Sequence, residues 1–185
     1  MKKTIKTTAV FFDTEFTHLD EHSGLISIGC LTESGKFFYA ENDSPDEALY
    51  SEFVKNNVIT KLEGGYARMP YSEIASRLKS WVESINGNVV FLSDAPIFDW
   101  PHVQDLFNQH GWPKNLSQNG VDELGLNMFQ MMLFRQKVEK IFKENISMRR
   151  HHAGDDVRVN LMAYTEVQHT KHTFFNALIN IFFGE

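Results

Sequence analysis

A short run of apolar, β-favouring residues near the N-terminus constrains the fold of this chain most, because it ends in two acids. Residues 9–12 (Ala-Val-Phe-Phe) predict a strand buried on both faces. Asp13 and Glu15 follow two positions apart, so their side chains are expected on the same face. Two carboxylates held that close repel each other unless a proton or a cation lies between them, and Mg²⁺ or Mn²⁺ prefers such hard oxygen ligands. For this motif alone, two surface acids at a solvated strand end are the simpler interpretation.

Length and composition limit the class of protein. A chain of 185 residues usually makes one domain, so we expect a single domain over residues 1–185. Cys30 is the only cysteine, which excludes an intramolecular disulfide and a cysteine-based zinc site and fits a reducing, cytoplasmic compartment. No stretch of the sequence is apolar over a membrane-spanning length. The net charge of −6 argues against a protein that coats long nucleic acid, although it permits an enzyme that grips a few nucleotides.

Periodicity predicts that strands and helices alternate after the first strand. Strands are predicted over residues 24–31, 37–40 and 88–93, with a hairpin turn at 33–36. Helices are predicted over residues 48–56, 71–85, 99–111, 121–145 and 153–168. Residues 112–120 are predicted to form a loop with room for a short strand. This alternation predicts an α/β fold in which helices cover a mixed sheet.

Two further apolar clusters are assigned to packing. Met128, Met131 and Met132 lie at helical spacing, and we expect them to fill the core. The tail is expected to dock on the domain, because its apolar residues have the spacing of an amphipathic helix. Those residues are Phe174, Phe175, Leu178, Ile181 and Phe182.

Acids recur at element boundaries in two further places. Asp99 follows the strand at 88–93, close to the expected start of a helix, and residues 151–156 (His-His-Ala-Gly-Asp-Asp) run from a loop into the next helix. Because strand ends gather at one edge of a sheet, these groups can share a cleft with Asp13 and Glu15. Each place alone has a simpler interpretation, as a helix cap, an acid near a helix dipole or an exposed loop. Their joint occurrence, in this order, is much harder to attribute to chance.

These three motifs resemble those of the DEDDh 3′-5′ exonucleases, a family with the ribonuclease H-like fold. The matching residues are Asp13-Thr14-Glu15, Phe98-Asp99 and the segment 151–156, and the resemblance extends from about Val10 to the helix after that segment. The runs 12–16 and 25–29 look most like a small bacterial and mycobacterial branch of exoribonucleases. One position departs from the pattern: Ala95 stands where many relatives carry an asparagine, which puts the substrate contacts around it in doubt.

The resemblance implies a two-metal site with a histidine base. Asp13 would bridge two Mg²⁺ or Mn²⁺ ions, Glu15 and Asp156 would complete the ion that binds the attacking water, and Asp99 would hold the ion at the leaving group, partly through water. His151 would be the general base, because a neutral imidazole near pH 7 can take a proton from water.

The third motif contains adjacent candidates of each type. Alignment of the family pattern on Ala153 selects His151 over His152 and Asp156 over Asp155. His151 is therefore expected in the loop before the helix, with room to move.

Substrate contacts are implied less specifically. Leu25 and Ile26 occupy a strand from which apolar side chains wedge against terminal bases in relatives, and Phe16 could stack on a base. Ordinary core packing explains each of them at least as well. Arg149 and Arg150 could contact phosphates, although a basic run at a helix end is usually a solvated terminus.

Together these features predict a metal-dependent exonuclease of ribonuclease H-like α/β fold, releasing nucleoside monophosphates from single-stranded 3′ ends. RNA is the expected substrate, a preference that depends on the resemblance alone. Two alternatives remain: a metal-dependent phosphohydrolase of small nucleotides or dinucleotides, and a catalytically silent nucleic-acid-binding module. The sequence leaves the oligomeric state open, a homo-oligomer included.

Overall fold

A mixed β-sheet forms the centre of the protein. The computed structural model describes residues 6–20 and 22–183, without the side chains of residues 122, 123 and 170–183. Within that part of the chain the sheet has six strands: β1 (Thr7–Phe16), β2 (Leu25–Thr32), β3 (Phe37–Asn42), β4 (Arg68–Met69), β5 (Asn88–Ser93) and β6 (Leu116–Glu123). Their order across the sheet is β4-β3-β2-β1-β5-β6.

The pairing of the strands divides the sheet into two parts. β1, β2 and β3 are antiparallel neighbours joined by short connections. β5 and β6 are added parallel to β1, and β4 pairs parallel with β3. Because parallel neighbours need crossover connections, the helices between these strands lie against the faces of the sheet.

Helices cover both faces, which confirms the predicted mixed sheet flanked by helices. They are α1 (Glu52–Asn57), α2 (Tyr71–Glu83), α3 (Pro96–His110), α4 (Met128–Glu144) and α5 (Ala153–Phe183). On one face, Val10 and Phe12 of β1 share a core with α2 and α3. On the other face, Phe11 packs with α4 and α5.

This alternation along β1 positions the acids. Phe11, Asp13 and Glu15 share one face because side chains alternate in a strand, so both carboxylates lie on the α5 side. Thr14 lies on the opposite face, towards α3. The last residue of β1 paired with β5 is Phe11, so the end of β1 extends beyond its parallel neighbour.

A glycine in β2 lets α5 begin close to these acids. Gly29 pairs with Asp13 in the antiparallel ladder. A Cβ atom built on Gly29 would lie 2.3 Å from the carbonyl oxygen of Ala153, the first residue of α5. Only glycine allows this approach of strand and helix, which brings the first turn of α5 against β1 and β2.

The predicted starts of α4 and α3 were wrong. α4 starts at Met128 instead of residue 121, because residues 116–123 form β6 alongside β5. The true start has a local signal, a capping box in which Asn127 and Gln130 bond to each other's backbone N–H groups. α3 starts at Pro96, three residues before Asp99, and proline at the first helical position is a common start.

The prediction that the methionines fill the core was also largely wrong. Met128 is 84% exposed and Met132 is 56% exposed, and Met131 alone of the three packs against the core. The reason is the rotation of α4 about its axis, which turns Phe134 and Ile141 towards the core and leaves Met128 and Met132 facing solvent.

α5 continues as one helix well past residue 168, to Phe183. The predicted docking of the tail depends on the side chains of Phe174, Phe175, Leu178, Ile181 and Phe182, which lie outside the described side chains. Among the helices of the described residues, none combines the length and apolar character needed to span a lipid bilayer.

Candidate active site

Three carboxylates from two elements meet at the end of β1. Asp13 and Glu15 come from the strand, and Asp156 comes from the first turn of α5. One oxygen of each lies within 4.8 Å of the others. The two acids of one strand and the acid of a distant helix therefore form a single cluster, which we call the carboxylate cluster.

The carboxylate cluster is electrostatically unfavourable without a cation. Burial, and then the charges of Asp99, Asp156, Glu15 and Asp94, raise the pKa of Asp13 well above its usual range. Burial, followed by the neighbouring acids, raises the pKa of Glu15 to about 8. Burial raises the pKa of Asp156 to about 7. Acids this close remain partly protonated near neutral pH unless a positive charge joins them.

The donor set of the carboxylate cluster fits a hard divalent ion. All three groups offer oxygen, and they come close enough to converge on one ion. The raised pKa values mean that a bound cation would relieve both the repulsion and the desolvation of the ionised acids. Asp13, Glu15 and Asp156 could therefore hold Mg²⁺ or Mn²⁺, whereas nothing in an all-oxygen set selects between these two ions.

Asp99 lies beside the carboxylate cluster and makes bonds of its own. Its Oδ1 accepts hydrogen bonds from the backbone N–H of Thr14 (3.1 Å) and from the Thr14 hydroxyl (2.7 Å). Its Oδ2 accepts one from the Ser93 hydroxyl at 2.5 Å. Burial still raises its pKa to about 6, although these bonds oppose the shift. Asp99 is held in this position on the α3 side of the carboxylate cluster. Its predicted role as a metal ligand stays a prediction.

The two adjacent histidines have different surroundings. His151 is half-buried, lies in the loop before α5 and contacts the ring of Phe53 edge-on, with ring centroids 4.9 Å apart. Burial, Lys61 and Arg150 lower its pKa from the ordinary value of an imidazole, which favours the neutral ring. His152 is fully buried, and its ring stacks on Tyr39 at 4.5 Å.

His152 acts as the cap of α5. Its Nδ1 accepts the backbone N–H of Asp155 at 3.2 Å, which satisfies one of the free donors at the start of the helix. Its own backbone N–H donates to Asp156 Oδ2 at 2.8 Å. This reciprocal pair fixes the carboxylate of Asp156 at the helix start.

Asp155 points away from the carboxylate cluster. It is buried and forms ion pairs with Arg149 (2.7 Å) and Arg158 (2.9 Å). Its pKa is lowered, because the bonds from Arg149 outweigh the opposing effect of burial. Asp156 thus lies in the carboxylate cluster and Asp155 outside it, while the predicted role of Asp156 as a metal ligand stays a prediction.

A cavity of about 590 Å³ opens over the carboxylate cluster. Its walls come from the end of β1, the loop 18–19, α1, the β5–α3 connection, α4 and the loop before α5. Among the residues that line it are Asp13, Glu15, Phe16, Asp99, Arg150, His151 and Asp156. The cavity therefore joins all five predicted catalytic residues with two of the five predicted substrate contacts.

The other three predicted substrate contacts lie elsewhere. Leu25 and Ile26 are buried in the core, where Leu25 packs with α2 and α3 and Ile26 packs with Val54 and Val58. Ordinary packing, the alternative that the sequence left open, is what the structure shows for both. The guanidinium of Arg149 bonds to Asp155, Lys61 and Glu63 and does not line the cavity.

Asp94 and Asn160 are among the polar residues of the cavity wall that sequence reasoning missed. Asp94 follows β5 directly and accepts a hydrogen bond from the side-chain amide of Asn160 at 3.2 Å. Asn160 lies one helical turn beyond Asp156, so it shares the same face of α5. The position of Asp94 at the carboxyl end of a parallel strand was a signal that could have identified it.

An apolar groove of about 360 Å³ continues the cavity along α3. Phe16, His18, Leu19 and Phe98 line both spaces. Leu19 is 75% exposed, and Ile97, on the opposite lip, is 78% exposed. Apolar side chains presented to water around a polar site are typical of a surface that contacts a ligand.

Comparison with known proteins finds similarity in structure alone. No family model matches the sequence, and no curated protein matches it significantly. Escherichia coli exonuclease I in complex with a dT13 oligonucleotide superposes with a TM-score of 0.63 at 13% identity, covering 95% of this chain and 44% of that one. The zinc-bound form of the E. coli exonuclease I–ssDNA complex gives a TM-score of 0.63 at 15% identity, with 95% and 43% covered. Exonuclease I from Methylocaldum szegediense gives 0.57 at 12% identity, with 85% and 39% covered.

These comparisons establish the fold of the chain and leave its activity to be argued separately. The chain spans less than half the length of the exonucleases that it resembles. At such low identity, the likeness shows that the chain has the ribonuclease H-like exonuclease fold predicted from its motifs, and its activity must be argued from the site.

Proposed function

We propose that this protein is a metal-dependent 3′-5′ exonuclease that acts on single-stranded nucleic acid. The observation that carries the proposal is the carboxylate cluster, in which Asp13, Glu15 and Asp156 converge within 4.8 Å at the base of an open cavity. Its shared fold with exonuclease I supports the same class of reaction. The order in which these acids occur along the chain, which resembles the motif order of the DEDDh exonucleases, supports the proposal as well.

The residues of the cavity divide the work of phosphodiester hydrolysis. Asp13, Glu15 and Asp156, with Asp99 beside them, would hold the divalent ions, and such ions would stabilise the developing charge and make water easier to deprotonate. His151, which lines the cavity, takes the proton of the attacking water, and its lowered pKa favours the neutral ring that can accept a proton. The bonds from Thr14 and Ser93 orient Asp99 before substrate binds.

The surroundings of the cavity favour a single-stranded end as substrate. The groove lined by Leu19, Ile97 and Phe98 is apolar, and it also contains the acids Asp20 and Asp105, so it suits nucleobases better than phosphates. Arg150 contributes a guanidinium to the cavity wall, and that guanidinium is paired with Glu139. The preference for RNA over DNA stays a prediction from the resemblance.

A direct assay tests the proposal. Purified protein is incubated with Mn²⁺ or with EDTA and single-stranded RNA or DNA of one sequence, labelled at either end. We expect the 3′ label to be released at once as a mononucleotide and the 5′ label to appear in a descending ladder, in Mn²⁺ only. Release of a 5′ label as the first product would contradict the direction, and unchanged cleavage in EDTA would contradict the metal dependence.

Hydrolysis of dinucleotides is a second candidate, favoured by the size of the cavity. A volume of about 590 Å³ is typical of pockets that bury a small molecule. Rates on oligomers from two to twenty nucleotides separate the two candidates. A rate that is highest on the dinucleotide and falls steeply with length favours the second, whereas a rate that holds or rises with length favours the exonuclease.

A further inference from the structure

We propose that Arg149 is a positioning residue, which holds the loop of His151 in the conformation that aims the imidazole into the cavity. This inference deepens the proposed function and depends on it. The sequence suggested a phosphate contact for Arg149, but its guanidinium is engaged outside the cavity.

Arg149 joins two segments that are distant in the chain. Its Nε and its backbone N–H donate to Asp155 Oδ2 at 2.7 and 3.1 Å, which ties the loop to the first turn of α5. Its other two nitrogens donate to the Lys61 carbonyl and to Glu63 Oε1, each at 3.0 Å. A planar guanidinium can make these divergent bonds at once, and a lysine ammonium cannot reproduce their geometry.

A second bond closes the connection in the reverse direction. Lys61 Nζ donates to the carbonyl oxygen of Arg150 at 2.5 Å. Arg149 and Arg150 are thus both bonded to the segment 61–63, which immediately precedes a glycine pair at 64–65. We call this set of bonds between residues 61–63 and 149–150 the loop clamp.

The loop clamp explains how an unfavourable backbone is maintained at His151. His151 has φ of 62°, and it is the only non-glycine residue with positive φ in the described part of the chain. Such a conformation costs free energy and persists when its neighbours over-determine it. Before His151 the backbone is bonded to Lys61, and after it His152 is buried and caps α5. The ring between them is directed into the cavity.

Arg158 provides a matched control for the charge of Arg149. Both arginines donate to Asp155, Arg158 doing so at 2.9 Å. The other contacts of Arg158 are the Gly154 carbonyl and the ring of Phe37, so it has no bond to the segment 61–63. Removing Arg158 withdraws a cation from Asp155 and leaves the loop clamp intact.

The test is a set of kinetic comparisons with 5′-labelled single-stranded RNA and Mn²⁺. A general base contributes about 10²–10⁴-fold, so partial misplacement of His151 in Arg149→Ala should lower kcat by about 10–100-fold, with KM changed less than about threefold. Arg149→Lys should recover only part of that loss. Arg158→Ala should keep kcat within about threefold of the wild type, because the loop clamp remains.

A double-mutant cycle separates positioning from general destabilisation. If Arg149 acts through His151, Arg149→Ala should cause little further loss of kcat in a His151→Ala background. An equal loss in both backgrounds, or an equal loss in Arg158→Ala, would overturn the proposal. If Arg149→Ala fails to fold, Lys61→Met removes one bond of the loop clamp, from Nζ to the Arg150 carbonyl, and is expected to lower kcat by less than Arg149→Ala would. An unchanged kcat in Lys61→Met would then overturn the proposal.

A readout that needs no activity distinguishes this proposal from the proposed function. The ring Cε1–Hε1 signal of His151 in an NMR spectrum of the metal-free protein is assigned by its loss in His151→Ala. We expect that signal to move or broaden in Arg149→Ala and to stay in place in Arg158→Ala. A wild type without nuclease activity would refute the proposed function, whereas an unchanged His151 signal in Arg149→Ala would refute the loop clamp whatever the activity.

Discussion

The carboxylate cluster makes the metal-free protein less stable as the pH rises, and Glu15→Gln should remove much of that effect. The folded protein raises the pKa of Glu15 from 4.5 to about 8. Between these values the unfolded chain has lost the proton that the folded protein keeps, so the free energy of unfolding falls with rising pH. The stability is fully present below pH 4.5 and is lost towards pH 8.

The size of the effect follows from that shift. One pKa unit corresponds to about 1.4 kcal/mol. The shift of Glu15 by itself therefore lowers the free energy of unfolding by about 1 kcal/mol at pH 5 and by about 4 kcal/mol at pH 8. The predicted loss between these pH values is therefore about 3 kcal/mol, a large part of a typical domain stability. Asp13 and Asp156 have raised pKa values as well and change stability in the same direction.

Urea denaturation in EDTA at pH 5 and pH 8 measures this loss. Between pH 5 and pH 8, the free energy of unfolding of Glu15→Gln should fall by about 3 kcal/mol less than that of the wild type, because glutamine cannot ionise. Glu33→Gln, which replaces an exposed acid of the β2–β3 turn, is the control and should behave as the wild type. Mn²⁺ should restore the wild type at pH 8 by binding the folded state. The reasoning is refuted if the wild type is equally stable at both pH values, or if Glu15→Gln loses as much as the wild type.

Three further outcomes are expected. His151→Ala should lower kcat by about 10²–10⁴-fold, while the rise in melting temperature on adding Mn²⁺ persists. His152→Ala should lose much less activity but be less stable, because it removes a buried helix cap. The reverse pattern would show that the register of the third motif is wrong. Asp94→Asn should weaken Mn²⁺ binding, read as a smaller rise in melting temperature, because Asp94 adds negative charge to the cavity wall; an unchanged rise would exclude that role. Leu19→Ala should raise KM for single-stranded oligomers with little change in kcat, and an unchanged KM would remove the groove from the substrate path.

Local patterns were sufficient to predict the central strands. β5 was predicted with the bounds that the structure has, and β1 was predicted from residues 9–12, because continuous β-favouring apolar runs are typical of strands buried on both faces. For β6 the prediction was only a loop over residues 112–120 with room for a short strand, because the β6 sequence, Leu-Ser-Gln-Asn-Gly-Val-Asp-Glu, is largely polar. Its strand conformation comes from pairing with β5, and that information is not local.

In the candidate site, too, features with a local sequence pattern were predicted, and features that depend on distant contacts were not. The five motif residues line one cavity, since acids at the ends of elements gather at one edge of a sheet. Leu25 and Ile26 are core residues because helices cover both faces of β2, which the strand sequence alone does not reveal. The role of Arg149 was equally invisible, because its partners Lys61 and Glu63 lie more than 80 positions away in the chain.

The most direct test of the account compares a linear and a covalently closed circular single-stranded RNA of one sequence in Mn²⁺. Wild-type protein should degrade the linear strand from its 3′ end and leave the circle intact, because the reaction requires a free end. Asp13→Asn should degrade neither and should remain folded, since it replaces a carboxyl group whose ionisation burial and the neighbouring acids disfavour. Cleavage of the circle by the wild type, or full activity of Asp13→Asn, would contradict the central claim.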